Sequence, residues 1–426
     1  MVAELPVGIV GAGVAGLVCA RELEKAGISA VVYEAADRVG GRVQTDDIEG
    51  YQLDRGFQIL INSYPEVRRV LDLPKLQLRS FAPGAVLANS GHLSVVAHPL
   101  KCPWKLLQTL KTFVDWGVVT SLLDVLRLGR LVSRWLFKGP YKTIEAAATT
   151  GTTDVFLKRL GLSSSITQQF LRPFFEAIYV SPLHEQSAAM FEFVLRMLAF
   201  GGACLPARGM RAVPEQLANG LSRPVQLSTP VEAVTPTVVQ VGGERREHAA
   251  VVVAADAPTA GRLVPLPPVT GTRSATLYFG LKEPAPVLDP LIILQSYGQE
   301  SSQPDEPKAR VVNIGFPSIV QPSYAPAGHV LAAITIMGPP VLDETWVRGE
   351  VQRILGVDCS GWRHLRTYDI VYHQPTQVPL VPPTEVPCEV DGIFCCGDHR
   401  ADPTLDGAMR SGRRVAEAII KALRRH

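Results

Sequence analysis

The chain has 426 residues, of which 46% are hydrophobic and 19% charged, and its 42 basic and 40 acidic residues leave a net charge of +2. This length exceeds one ordinary hydrophobic core, so we expect about two or three domains. The balanced charge offers no dominant basic surface, which argues against a nucleic-acid partner. The seven cysteines are odd in number and show no CxxC spacing, so we expect neither a disulfide framework nor a metal site.

The first residues lead directly into a strand and leave no room for a secretory signal, which needs a charged region and then an apolar one. No uncharged apolar run reaches the length of about 18 residues that crosses a membrane. We therefore predict a cytoplasmic protein, or one that is bound peripherally to a membrane face.

The predicted elements begin with a glycine-rich turn between a strand and a helix. The strand Val7 to Val10 is apolar, and the helix runs from about Val14 to Ala26. The turn between them has the GxGxxG pattern, in which the glycines allow a tight turn, a close approach to a pyrophosphate and close packing of helix on strand. The predicted contacts to the phosphates come from Gly11, Gly13, Ala15 and Gly16.

An acidic residue follows the next strand, Ala30 to Tyr33. Glu34 lies 18 residues after Gly16, where a carboxylate accepts hydrogen bonds from ribose hydroxyls and repels a 2′-phosphate. This disfavours NADP and leaves FAD and NAD open. The stretch that follows, EAADRVGGR, adds Gly41 for a second close backbone approach and Arg42 to neutralise a phosphate, which an NAD-binding unit does not need.

The run EAADRVGGR resembles the flavin amine oxidase superfamily, which includes monoamine oxidases, protoporphyrinogen oxidases and carotenoid desaturases. In that superfamily a similar run lies along the FAD, although Asp37 stands here where an arginine is common. The segment GIFCCGDHRADPTLDGAMRSG, which begins at Gly392, resembles the C-terminal flavin motif of the same superfamily. Asp398 would then bond a ribityl hydroxyl, and the helix that opens near Leu405 would point at the flavin N1/O2 edge.

Two weaker segments complete the resemblance. Residues 54–58 (DRGFQ) resemble the strand end that approaches the flavin, and Val231 matches a residue whose backbone contacts the adenine. Taken alone, Phe57 also suits a core position, and the stretch around Val231 also suits an ordinary hairpin. The resemblance implies non-covalent FAD held by Gly11, Gly13, Ala15, Gly16, Glu34, Ala35, Gly41, Arg42, Gly56, Phe57, Gln58, Val231, Gly397, Asp398, Leu405, Gly407 and Ala408.

The predicted fold class is α/β: a Rossmann-type FAD-binding domain with an inserted substrate domain made of a mixed sheet and a helical block. We assign the FAD-binding domain to residues 1–75, 205–262 and 386–426, the helical block to 76–204 and the sheet to 263–385. Strands of the sheet are predicted at Thr276–Leu281, Pro290–Tyr297, Arg310–Phe316 and His329–Met337. An exposed loop is predicted at Gln299–Lys308 and a helix at about Glu344–Leu355.

In the helical block, the run from Trp104 to Phe137 has leucines and valines at helical spacing. It either packs into a core or lays an apolar face on a membrane, whose anionic headgroups would suit the flanking basic residues. Those residues are Lys101, Lys105, Lys111 and Lys138. The later run Ser163 to Pro182 predicts two helices broken near Pro173.

The sequence indicates no dedicated catalytic side chain. There is no CxxC for disulfide chemistry, no cysteine in the context that binds flavin covalently in monoamine oxidases, and Lys282 suits a solvated turn. Candidates for the pocket, each with an ordinary structural alternative, are Arg172, Tyr179, Arg208, Tyr372 and His373.

We therefore predict an FAD-dependent oxidoreductase, nearest to the desaturase and protoporphyrinogen oxidase branch. It would dehydrogenate a bulky hydrophobic substrate, such as a carotenoid or tetrapyrrole, by hydride transfer to flavin N5, with oxygen or a quinone as electron acceptor. Two alternatives stay open: a flavin amine oxidase, and a non-redox flavin-dependent isomerase or cyclase that acts on a polyene.

Overall fold

The computed structural model describes residues 5–98, 101–135, 139–145, 151–282, 284–296, 309–338, 343–378 and 380–424. The predicted loop Gln299–Lys308 and the flanking residue Lys138 lie outside these residues. The strands are β1 (Val7–Val10), β2 (Ala30–Tyr33), β3 (Thr45–Ile48), β4 (Tyr51–Asp54), β5 (Leu60–Ile61), β6 (Arg79–Ser80), β7 (Gly84–Asn89), β8 (His92–Ala97), β9 (Ala203–Leu205), β10 (Val231–Val234), β11 (Val238–Val241), β12 (Glu244–Glu247), β13 (Val251–Val253), β14 (Ser274–Leu281), β15 (Ile292–Gln295), β16 (Arg310–Gly315), β17 (Val330–Met337), β18 (Arg363–Ile370), β19 (Glu389–Val390) and β20 (Ile393–Cys395).

The helices are α1 (Val14–Lys25), α2 (Pro65–Val70), α3 (Leu106–Trp116), α4 (Val118–Trp135), α5 (Lys142–Glu145), α6 (Thr153–Leu160), α7 (Ser164–Ile166), α8 (Arg172–Tyr179), α9 (Ala188–Phe200), α10 (Ala212–Ala218), α11 (Ala257–Leu263), α12 (Pro317–Val320), α13 (Glu344–Leu355) and α14 (Leu405–Leu423). In the part of the chain that the structure describes, no helix is long and apolar enough to cross a membrane.

A sheet of order β19-β20-β13-β1-β2 organises the nucleotide-binding part of the molecule. Strands β20, β13, β1 and β2 are parallel, with Val7 opposite Ala30, Gly8 opposite Val251 and Val252 opposite Phe394. These strands are apolar throughout because both faces of the sheet are covered. The predicted Rossmann-type fold class is therefore confirmed, and segments from both ends and the middle of the chain meet in this sheet.

A second, mixed sheet of order β18-β14-β17-β16-β15-β7-β8 forms the inserted part. The predicted strands β14 to β17 pair as neighbours, and α13 covers one face with a core that includes Val347, Val351 and Ile354. Two of its strands, β7 and β8, come from the region that we predicted to be mostly helical. β7 pairs with β15 in parallel, with Val86 opposite Ile293.

One local prediction was wrong, and one strand was missed. The run from Ser163 to Pro182 is not broken at Pro173, because a π-helical segment, Thr167–Leu171, joins α7 to α8 without interruption. A wider π turn accommodates a residue that cannot donate a backbone hydrogen bond. Strand β18 was missed because its sequence, RHLRTYDI, is rich in charge; it lies at the edge of the sheet, where charged side chains are tolerated.

Candidate active site

A cavity of about 1070 Å³ opens where β1, β2, β13 and β20 end. The carboxyl ends of parallel strands meet at one edge of a sheet, and this edge is where α/β folds bind ligands. The opposite wall comes from the inserted part, namely the end of β18 and the residues that follow it, and from α8 and α9. The site therefore lies between the two sheets.

Most of the residues predicted to hold a dinucleotide line this cavity. They are Gly11, Gly13, Ala15, Glu34, Ala35, Gly41, Arg42, Phe57, Gln58, Val231, Gly397, Asp398, Leu405 and Ala408. Gly16, Gly56 and Gly407 do not line it. A Cβ on Gly407 would lie 2.1 Å from the carbonyl oxygen of Asp402, so this glycine allows the loop before α14 to pass close to the helix.

The first turn of α1 is shaped for an anion. A Cβ on Gly16 would lie 2.1 Å from the carbonyl oxygen of Gly11, so the third glycine of the motif serves the packing of helix on strand. A Cβ on Gly13 would meet no atom within 4 Å, and Gly13 caps α1 without any side-chain hydrogen bond. The N–H groups of this helix end thus lack a side-chain acceptor beside open space, which suits a pyrophosphate.

Glu34 is held in place by the backbone around it. Its two carboxylate oxygens accept hydrogen bonds from the N–H of Ala12 at 2.8 Å and from the N–H of Ala36 at 2.9 Å. Each oxygen keeps capacity for a further donor, since a carboxylate offers about four lone-pair sites. The side chain is therefore fixed at the end of β2 and can still accept from a ligand's hydroxyl groups.

Arg42 and Asp398, which we predicted to contact different parts of the cofactor, pair with each other. The Nη2 atom of Arg42 donates to Asp398 at 2.7 Å, and its Nη1 atom donates to the carbonyl oxygen of His373 at 2.9 Å. Burial by itself would raise the pKa of Asp398, but the charge of Arg42 and a hydrogen bond from His399 hold that pKa well below its usual range. Asp398 is thus an anion at neutral pH, as an acceptor of hydroxyl groups must be.

Tyr372 and His373 complete this wall. Burial, reinforced by the charge of Arg42, lowers the pKa of His373 to about 4, so the imidazole is neutral near pH 7. The His373 Nδ1 atom lies 2.9 Å from the Ser274 hydroxyl. The buried Tyr372 hydroxyl has no hydrogen-bond partner among the described residues, so it is free to bond a bound molecule. Together with the glycine turn and Glu34, this group fits an FAD.

The far end of the cavity is apolar and aromatic. Its residues include Ile59, Ile61, Tyr64, Ile178, Tyr179, Val194, Met210, Tyr368, Ile370 and Val371. Of our candidate pocket residues, Tyr179, Tyr372 and His373 line the cavity, whereas Arg172 and Arg208 do not. Arg172 pairs with Glu176 at 3.1 Å, and Arg208 pairs with Glu215 at 2.7 Å.

The sequence signals for the far wall were weak. Tyr368 and Ile370 belong to the edge strand β18, whose charged sequence hid its strand character, and Ile178 and Val194 look like ordinary helix-core residues. No lysine and no cysteine is found among the described residues that line the cavity, and Lys282 is exposed elsewhere.

Comparisons with known proteins agree with this geometry. The sequence profile of the family described as flavin containing amine oxidoreductase matches residues 14–420. Lysine-specific histone demethylase 2 of Homo sapiens is 27% identical over 236 residues, which cover 53% of this chain and 26% of that protein. Protoporphyrinogen oxidase 2 of Arabidopsis thaliana is 39% identical over 66 residues, 16% of this chain and 13% of that protein.

A solved double mutant of putrescine oxidase superposes with a TM-score of 0.69 at 19% identity and covers 98% of this chain and 99% of that one, which shows a shared fold. The alignments to the curated relatives named above span about a quarter of their length or less. The names of these relatives refer to different substrates, so the comparisons do not assign the protein to the predicted desaturase branch. Because the family profile matches nearly the whole chain, the protein belongs to the family of flavin-containing amine oxidoreductases.

Proposed function

We propose that this protein dehydrogenates a bulky, largely apolar substrate and passes the electrons to oxygen or to a quinone. The observation that carries the proposal is the apolar part of the cavity lining, which comes from residues other than those that fit the nucleotide. The whole cavity, including the part lined by the residues that fit the nucleotide, has a volume of about 1070 Å³, so FAD and the substrate would share it. A quinone acceptor dissolved in a bilayer would also require a peripheral contact with a membrane.

The residues of this chain would hold the cofactor and orient the substrate. The open first turn of α1 would bind the pyrophosphate, Glu34 the ribose and Asp398 the ribityl chain, with Arg42 fixing Asp398. FAD supplies the redox chemistry by accepting a hydride from the substrate. The apolar wall would exclude water and place the reacting C–H bond, a positioning role that suits a site in which we identify no catalytic acid or base.

Two carboxylates at the cavity offer little attraction to a cationic substrate. Asp46 is paired with Arg55 at 2.9 Å, and Asp369 is paired with Arg273 at 2.6 Å. These carboxylates are therefore neutralised within the protein and are poorly suited to capture a small ammonium ion.

An amine oxidase is the second candidate. Tyr179, Tyr368 and Tyr372 line the cavity, and aromatic faces attract cationic amines. The putrescine oxidase structure that shares this fold over nearly its whole length supports the same alternative.

Anaerobic mixing of the purified flavoprotein with substrate panels separates these candidates. The panels contain polyenes, tetrapyrroles and amines, and the measured quantity is the bleaching of the visible flavin absorption band. Bleaching by a polyene or tetrapyrrole supports the proposal. Bleaching by amines alone replaces it with the second candidate. Conversion of a polyene to an isomer of the same mass without bleaching would contradict both and favour the non-redox alternative.

A further inference from the structure

Two consecutive helices, α3 and α4, expose large apolar side chains to solvent. We call this surface the α3–α4 face and define it by Trp104, Leu107, Val114, Val119, Leu122 and Leu126, which are between 58% and 82% exposed. Soluble monomers rarely expose large contiguous apolar patches unless something binds there. The interpretation of the run Trp104 to Phe137 as a core-packing segment is therefore wrong for this side of the helices.

Buried polar side chains help to fix both helices against the rest of the protein. On α3, the buried Thr109 accepts a hydrogen bond from the β8 backbone at 3.2 Å, and Thr112 donates one to it at 2.9 Å. On α4, the buried Asp124 accepts from the N–H of Ser163 at 3.0 Å and from its hydroxyl. Because specific polar contacts fix both helices, the outward apolar side is part of their docked orientation.

We propose that the α3–α4 face docks on a lipid surface that carries anionic headgroups. Lys111, Arg130 and Arg134 are exposed on the same helices and have no ion-pair partner in the described part of the chain, against one unpaired acid, Asp115. Lys111 lies four residues after Leu107 and shares its side of α3. Long basic side chains beside a buried apolar face reach the headgroups of an anionic bilayer.

A second copy of the chain fits this surface less well. A twofold dimer brings the same patch of each subunit together, so the unpaired basic residues would face one another with too few acids to match them. Trp104 adds an indole ring in the short turn just before α3, and tryptophan is enriched where protein meets the headgroup layer. Neither helix can span a bilayer, so both would lie in the plane of the interface.

The docking surface and the cavity share one supporting helix. Phe113 and Trp116 of α3 pack with Phe174 of α8 against one hydrophobic cluster beneath the helices. Ile178, one turn further along α8, lines the cavity. A membrane contact at α3 would thus lie beside the wall that faces the substrate, but the docking itself does not depend on which substrate is oxidised.

Flotation of the flavin-loaded protein with lipid vesicles tests the proposal. One set of vesicles contains phosphatidylcholine alone, and the other also contains phosphatidylglycerol. The wild-type protein is expected to float with the anionic vesicles. The Leu107→Gln/Val119→Gln variant should bind them at least about tenfold more weakly, because two exposed apolar side chains no longer enter the lipid. The Lys111→Gln/Arg130→Gln variant should lose about fivefold in affinity for the anionic vesicles for each charge removed. Added salt should reduce the difference in affinity between this variant and the wild type.

The Leu227→Gln/Val381→Gln variant is the matched control, since both residues are exposed and lie outside the two helices. It should bind as the wild type does. Equal flavin content and equal thermal unfolding show that a variant is folded; if the apolar variant fails this check, the charge variant decides. The proposal is overturned if the wild type does not float, if both vesicle types bind equally, or if the control loses binding too. A lipid-independent dimer that the apolar variant dissociates, without vesicle binding, would assign the face to a second copy.

Discussion

The strongest test of the cofactor site is Glu34→Ala. The carboxylate accepts hydrogen bonds from two backbone N–H groups, at 2.8 and 2.9 Å, and it also lines the cavity where a ribose would bind. A hydrogen bond to a charged group contributes about 1.5–3 kcal/mol. Loss of one such bond to the ribose should therefore raise the dissociation constant of FAD by about 10- to 150-fold.

The assay is reconstitution of the apoprotein with FAD, followed by the quenching of flavin fluorescence. The stability of the apoprotein is measured separately, because each of the two N–H groups that lose their acceptor should lower that stability by about 1–3 kcal/mol. Glu232→Ala is the control: Glu232 also accepts from a backbone N–H, that of Gly243 at 3.3 Å, but it lies outside the cavity. An FAD affinity of the Glu34 variant within about twofold of wild type would refute the ribose role.

Three further predictions concern residues of the same site or residues that pack beside it. Gly13→Ala should weaken FAD binding and leave the thermal unfolding of the apoprotein unchanged, because its Cβ would point into open space. Gly16→Ala should destabilise the apoprotein itself, because its Cβ would lie 2.1 Å from a carbonyl oxygen. Equal effects of the two variants on apoprotein unfolding would contradict the geometry. Burial and then the neighbouring carboxylate raise the pKa of Asp406 to about 7, so its favourable contribution is complete at acid pH and is lost as pH rises toward 7. The stability advantage of Asp406→Asn over wild type should accordingly grow as pH rises from about 4 to about 7 and stay constant above that, and a constant difference across pH 4–7 would show that the carboxyl does not titrate there. Asp398→Asn leaves the Arg42 cation without its anionic partner, so it should lower the midpoint of thermal unfolding more than the Arg42→Met/Asp398→Asn double variant does. If the stability losses of the two single variants add up to the loss of the double variant, the pair is not coupled.

The nucleotide-binding part of the molecule could be predicted because its signals are local. A short apolar strand, a glycine turn, a helix and an acid follow one another within a few tens of residues, and each residue type has its own physical reason to stand there. The distant segment that ends at Asp398 could be joined to the same site through its resemblance to a known motif. The fold class and FAD are confirmed, whereas the domain boundaries and the individual residue roles stay predictions.

Tertiary structure decided what depends on pairing between distant residues. Arg42 and Asp398 are 356 positions apart, and nothing in either neighbourhood indicates that they meet. Strand β18 is formed through its antiparallel pairing with β14, since its own sequence is too charged to predict a strand. The spacing of leucines in α3 and α4 predicted an apolar stripe, but periodicity cannot say which side faces the protein. That orientation comes from the contacts of Thr109 and Asp124 with neighbouring segments, because buried polar groups must find hydrogen-bond partners wherever the fold supplies them.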